Sequence, residues 1–340
     1  MNYICNNDTI IFSPDFNKSL DIDLISKYDK IIFSDYELNN ILFDMYDKNK
    51  FDANKLDILT FKKSCFNRPI FTIKNLMYYV LNSYFIPFEY FSKKLTHLIF
   101  GYNFNQPVNY LPKSLTHLIF GYNFNQLVNY LPESLTHLMF GYNFNQPVNN
   151  LPKSLTYLMF DDNFNQPVDN LPNSLVNLIF GNKFNQPVDN LPNSLVNLIF
   201  GNKFNQIVNN LPNSIVDLKF GFYFNKQVNN LPNSIINLIF GNKFNQPVDN
   251  LPNSIINLTF GDYFNKQVNN LPNSIVDLTF GYDFNQSIDN LPNSIINLTL
   301  GKNFNHSINN LPLGLKKIIC SKNYPYIDNF ELKNICTETY

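Results

Sequence analysis

Three histidines, His97, His117 and His137, recur at twenty-residue intervals in a chain of 340 residues. If the intervening segments stack, strands roughly 4.8 Å apart would set the imidazoles side by side, a column of nitrogens within reach of a divalent cation. A plainer account competes with that chemistry. The segments carrying the three histidines are almost copies of one another, so duplication alone produces the column, and no metal or cofactor is expected. The serines from Ser114 to Ser294 keep the same interval. None has a histidine and an acid dedicated to it, as nucleophilic catalysis requires, so they read as caps of a bend ahead of a strand. Cys5, Cys65, Cys320 and Cys336 stand far apart with no C-x-x-C pair, which favours reduced thiols in an intracellular setting. There is no P-loop, G-x-G-x-x-G, H-E-x-x-H or nucleophile elbow. A non-enzymatic protein is expected.

The elements that would position these residues are announced by the repeat itself. Leu111–Asn310 is one twenty-residue unit written ten times without insertion, and Phe91–Tyr110 is an eleventh copy with a divergent start. A strict period of that length implies a stacked solenoid. In the copy at 171–190 the regular apolar positions are Leu171, Leu175, Leu178, Phe180, Phe184 and Val188, with Val176 and Ile179 less regular. The two-residue step from Leu178 to Phe180 is strand spacing, so Asn177 and Ile179 face the other way. A short strand over about 176–180 is predicted, with Gly181 turning the chain off it. Pro172 and Pro187 favour an extended or turning back wall over helix. The fold class is therefore a mostly β, leucine-rich-repeat-like parallel β-solenoid of twenty-residue coils. The Phe180 and Phe184 columns should form aromatic spines inside it. The unvaried column Asn105, Asn125, Asn145, Asn165, Asn185, Asn205, Asn225, Asn245, Asn265, Asn285 and Asn305 should be a structural ladder at a buried bend, each carboxamide serving backbone groups of a neighbouring coil.

The pattern L-P-x-S-L-x-x-L-x-F-G-x-x-F-N-Q-P-V, as at 111–128 and 171–188, resembles the FNIP repeat, a relative of the leucine-rich repeats. The likeness runs from Phe91 to about Asp328. Where the family name implies Phe-Asn-Ile-Pro, this chain has Phe-Asn-Gln-Pro, drifting to Lys226-Gln227 and His306-Ser307. The resemblance implies the kind of protein found in social amoebae and in giant viruses that infect amoebae. Some such proteins carry an F-box ahead of the repeats, which implies substrate recruitment to a ubiquitin ligase.

Three regions follow. Residues 1–90 read as an N-terminal cap with degenerate repeats, seen at Ile11-Phe12, Ile32-Phe33 and Leu59-Thr60-Phe61, and two short helices over 37–50 and 73–85, where apolar residues fall at helical spacing. No F-box opening is evident there. Residues 91–310 are the eleven regular coils, and 311–340 a partial coil and C-terminal cap, since the end of an open core needs a shield.

Charge and composition narrow the partners. Lys plus Arg number 25 against 26 Asp plus Glu, and 91–310 holds 11 of each, so neither nucleic acid nor a membrane surface is expected. No apolar run reaches the ~18 residues of a membrane span and no secretory leader opens the chain, so a cytoplasmic monomer is expected, in the host cytoplasm if the chain is viral. The outward strand positions remain as a binding surface. In its N-terminal half they pair His97, His117, His137 and Tyr157 with Ile99, Ile119, Met139 and Met159, and Tyr102, Tyr122 and Tyr142 lie just past the strands. Apolar residues beside histidine and tyrosine suit a protein ligand. The expected function is a non-catalytic protein-interaction scaffold, with a ubiquitin-ligase adaptor as the alternative. The Thr259, Thr279 and Thr299 column would suit an ice-binding face, but three rungs are too few.

Overall fold

The computed structural model describes residues 96–100 and 104–326, together with the backbone of six further strands. The chain divides into two compact units, Met1–Asp161 and Asp162–Tyr340. In the first, β1 (Tyr3–Asn6) pairs antiparallel with β2 (Thr9–Phe12), and β2 runs parallel to β3 (Lys30–Phe33), itself parallel to β4 (Thr60–Phe61). Then β5 (Tyr78–Leu81), β6 (His97–Phe100), β7 (His117–Ile119), β8 (His137–Met139) and β9 (Tyr157–Met159) pair parallel in sequence order. The second unit contains β10 (Asn177–Ile179), β11 (Asn197–Ile199), β12 (Asp217–Lys219), β13 (Asn237–Ile239) and β14 (Asn257–Thr259). It continues with β15 (Asp277–Thr279), β16 (Asn297–Thr299), β17 (Lys317–Cys320) and β18 (Cys336–Thr339). Each of these is parallel to the next. Both units thus contain parallel β-solenoid coils of about twenty residues each.

The N-terminal strands bear on two readings of the sequence. Ile11-Phe12 pairs in register with Ile32-Phe33, and Phe33 with Phe61, so three of the degenerate fragments are parallel neighbours in one sheet. The helix expected over 73–85 is contradicted at Tyr78–Leu81, which is strand and pairs residue for residue with β6. Over so short a run apolar spacing fits either element, and Tyr-Tyr-Val-Leu favours a strand once a partner edge exists. The helix expected over 37–50, the F-box question, and Cys65 lie outside the described residues, as do the side chains of Cys5 and Cys336.

Each coil buries the six regular apolar positions: Leu171 is 7 % exposed and Leu175, Leu178, Phe180, Phe184 and Val188 are at most 2 %. Val176 and Ile179 are half-buried, and Pro172 is buried although its pattern suggested the back wall. Its carbonyl accepts from Leu175 N at 3.1 Å, closing the turn into the strand. The regular strand is one residue shorter at each end than predicted, yet the ladder extends past it. Val176 O accepts from both Val196 N and Asn197 N, and Phe180 N donates to Ile199 O. The aromatic columns are coupled more tightly within a coil than along the stack. Phe200 and Phe204 stack at 3.7 Å between centroids, whereas Phe200–Phe220 and Phe204–Phe224 lie at 5.6 and 6.1 Å.

Three further columns hold coil to coil. The glycine that follows most of the regular strands, Asp161 being the exception after β9, opens the expected turn, Phe224 N donating to Gly221 O at 3.3 Å, and also serves close approach between coils. A Cβ at Gly221 would lie 2.0 Å from Gly201 O, and one at Gly241 1.9 Å from Gly221 O. The serine hydroxyls bridge coils and do not cap their own bend: Ser194 Oγ donates to Leu175 O at 2.5 Å and Ser214 Oγ to Leu195 O at 2.5 Å. Asn105 Oδ1 accepts from Asn125 N, and the same bond recurs within each unit through Asn305 N to Asn285 Oδ1, each at 2.9–3.0 Å. This column lies at the surface, half-buried or exposed, and not at a buried bend. The bonded phenylalanine before each asparagine takes the interior, which turns the carboxamide outward.

At the C-terminal end the coil pattern outlasts the motif. Ile318 pairs with Leu298, Cys320 is buried where other coils place phenylalanine or Leu300, and Tyr324 is buried in the next aromatic slot. The Tyr324 hydroxyl donates to His306 O at 2.7 Å, and burial, the first cause, holds its pKa well above the usual range.

Candidate protein-binding face

The alternation of the short strands puts Leu98, Leu118, Leu138 and Leu158 inside the first unit and leaves the residues on either side of each pointing out. One outward column is His97, His117, His137 and Tyr157, all half-buried. Register pairing sets them directly alongside. The rings stack at 4.0 Å (His97–His117), 4.2 Å (His117–His137) and 5.6 Å (His137–Tyr157), with planes within 11°, 12° and 17° of parallel.

The threonine before each histidine fixes its ring, a role that sequence reading missed although Thr-His-Leu recurs in all three copies. Thr96, Thr116 and Thr136 Oγ1 lie 2.8, 2.9 and 2.9 Å from Nδ1 of His97, His117 and His137. Thr116 Oγ1 also donates to Thr96 O at 3.1 Å, and Thr136 Oγ1 to Thr116 O at 3.1 Å. Burial pushes all three histidines toward the neutral form, to about 4 for His97 and about 3 for His117, with like charge on His137 adding to the effect at His97 and on both other imidazoles at His117. Burial likewise raises the Tyr157 phenol.

The second outward column reads Ile99, Ile119, Met139 and Met159. Ile99, Ile119 and Met159 are half-buried, but Met139 is 6 % exposed and offers a partner little surface. Tyr122 and Tyr142, beyond the strands, stack at 4.5 Å with planes 2° apart. Tyr102 lies outside the described residues. Near-parallel rings also decide what the histidines can do together. Their lone pairs run side by side and do not converge on one point, and among the described residues no group of three or more His, Cys, Asp or Glu side chains is arranged to hold a metal.

The corresponding face of the second unit differs. Its first outward column bonds to itself: Asn197 Nδ2 donates to Asn177 Oδ1 and Asn257 Nδ2 to Asn237 Oδ1, both at 2.5 Å, and Asn237 and Asn297 donate to Asp217 and Asp277. Those amides and carboxylates are engaged in holding coils together. The imidazole column of the first unit instead has rings that touch by stacking.

The model of the FNIP repeat matches in nine overlapping stretches, 86–123, 107–143, 124–158, 144–183, 164–203, 184–223, 204–243, 244–283 and 284–323. Among solved structures the chain is similar to CroV588, described as a novel circular leucine-rich-repeat protein and coming from a giant virus, with 37 % identity, a TM-score of 0.69, and 95 % of this chain covered. The match spans 58 % of that protein's chain. YopM from Yersinia enterocolitica is matched at 18 % identity and a TM-score of 0.41, covering 78 % of this chain and 64 % of that one. No curated protein matches the chain.

Proposed function

Because the chain belongs to the FNIP repeat family and folds as a leucine-rich-repeat-like solenoid, we propose that it is a non-catalytic scaffold that holds a protein partner on the outer strand face of its first unit. Folds of this kind commonly mediate protein–protein interaction. The observation that carries the choice of face is the contrast between the units. In the second, the outward asparagines and aspartates are consumed by bonds between coils. In the first, half-buried imidazoles lie beside half-buried isoleucines and a stacked tyrosine pair, the mixture of apolar area and polar edges that a protein interface uses.

The test is a capture comparison with the full chain. Wild-type protein is immobilised beside an Ile119→Asp variant of the first-unit face and an Ile239→Asp variant of the second. Proteins retained by wild type and by the Ile239 variant, and lost with the Ile119 variant, support the proposal. Identical retention by all three, or loss confined to the Ile239 variant, overturns it. Recovery of a Skp1-type adaptor with the full chain would turn the reading to ubiquitin-ligase substrate recruitment.

A further inference from the structure

We infer that the partner meets this face through arginine side chains set in an otherwise aliphatic segment, their guanidinium groups donating to Nε2 of His117 and His137. The inference rests on the proposed binding face and supplies the chemistry of its ligand. A threonine hydroxyl has one hydrogen. Thr116 Oγ1 and Thr136 Oγ1 each touch two acceptor-capable atoms, the carbonyl of the preceding coil's threonine and the Nδ1 of the adjacent histidine. Were the hydroxyl to donate to Nδ1, its lone pairs would face the carbonyl oxygen across 3.1 Å with no hydrogen between them. Both contacts are satisfied together in one arrangement, in which the hydroxyl donates to the carbonyl and Nδ1–H donates to the hydroxyl. The neutral imidazole then bears its hydrogen on Nδ1 and a bare lone pair on Nε2.

His117 Nε2 and His137 Nε2 have no partner among the described residues. They are two aligned acceptors on rings 4.2 Å apart. An acidic segment would bring acceptors against acceptors, and the rings resist becoming donors because burial opposes a second proton at both, with like charge on the stacked imidazoles adding to this at His117. A partner therefore has to bring donors. Guanidinium carries five N–H groups in a planar fork, enough to serve both rungs, and its flat face also stacks on tyrosine, which the Tyr122–Tyr142 pair provides. The second outward column, Ile99, Ile119 and Met159, asks for aliphatic neighbours. Among residues 104–161 the lysines are Lys113 and Lys153, at the turns ahead of the strands, so no lysine of these described coils stands on the face to repel a cation.

The experiment uses the full chain labelled with nitrogen-15 at histidine, observed by long-range proton–nitrogen correlation at pH 7, and two probes, acetyl-(Leu-Arg)3-amide and acetyl-(Leu-Glu)3-amide. The expected result is an unprotonated Nε2 signal for His117 and His137 that moves on adding the arginine peptide, with the glutamate peptide at least about tenfold weaker. Thr116→Val and Thr136→Val remove the hydroxyl, and should shift the rings toward the Nε2–H tautomer and weaken the arginine peptide. Nε2–H in the unmodified chain, or equal response to both peptides, overturns the inference. No response to either peptide, with face-dependent capture intact, overturns arginine recognition and leaves the scaffold standing. Arginine-peptide binding without face-dependent capture does the reverse.

Discussion

Individual side chains in this solenoid are judged by two neighbours at once, the residue one coil before and the one after. Phe204 shows what that does to an energetic argument. It is fully buried, stacks on Phe200 at 3.7 Å and faces Phe184 and Phe224 at 6.1 Å. Phe204→Ala opens a cavity shared by three coils and should cost about 3–5 kcal/mol, read as a lower urea midpoint. The histidines make a pH prediction. His97 and His117 have folded-state pKa values of about 4 and about 3, depressed chiefly by burial. The unfolded chain takes up protons near the ordinary histidine value of about 6.5, so it gains on the fold as pH drops below that value. The histidine contribution to stability is complete above the ordinary value, declines through the acid range, and levels off once the folded-state values are passed. Thermal melting of wild type between pH 7 and pH 4, compared with a His97/His117/His137→Asn variant, should show a steeper acid loss in wild type. Equal slopes would show that these rings are not held neutral.

Elements were legible where one residue type per slot answers to one cause. The six apolar positions and the outward alternation around Leu178 follow from strand geometry, and the structure places them accordingly. Contacts between coils were harder to read, since a single unit does not say which atom of the next it will face. The glycine slot is the example. Gly221 looks like a turn residue in sequence and opens a turn, but the backbone of Gly201, where its Cβ would stand, is a second requirement that one coil does not reveal. Gly221→Ala should therefore destabilise by more than the ~1 kcal/mol typical of a conformational penalty, measurable by chemical denaturation, and Gly314→Ala, whose nearest atom is 2.7 Å away, should cost less. The serine hydroxyls were misread for the same reason, their acceptor being nineteen residues earlier. The helix expected over 73–85 gave way to strand at Tyr78–Leu81 because the apolar residues there satisfy either period and the edge of β6 supplies a partner.

At the scale of the molecule, the near balance of 25 basic and 26 acidic residues leaves no long-range field to gather a partner, so association through the first-unit face should change little with salt apart from the arginine contacts themselves. The family and the similar giant-virus structure establish the architecture, while the partner has to be sought in the local chemistry of one face. The bonds of the second unit, offset by 19, 20 or 21 residues, also bear on how such a chain can change in length. Serine, asparagine, glutamine and strand contacts all close on the same interval, so the polypeptide behaves like a ruler graduated in twenties. Excising residues 231–250 in one piece should leave a folded protein with its melting transition shifted only modestly, whereas removing a single residue from that segment should throw every rung beyond it out of phase. Growth and loss by whole graduations is then the inexpensive route for such genes to vary, and partial steps are filtered out by the fold.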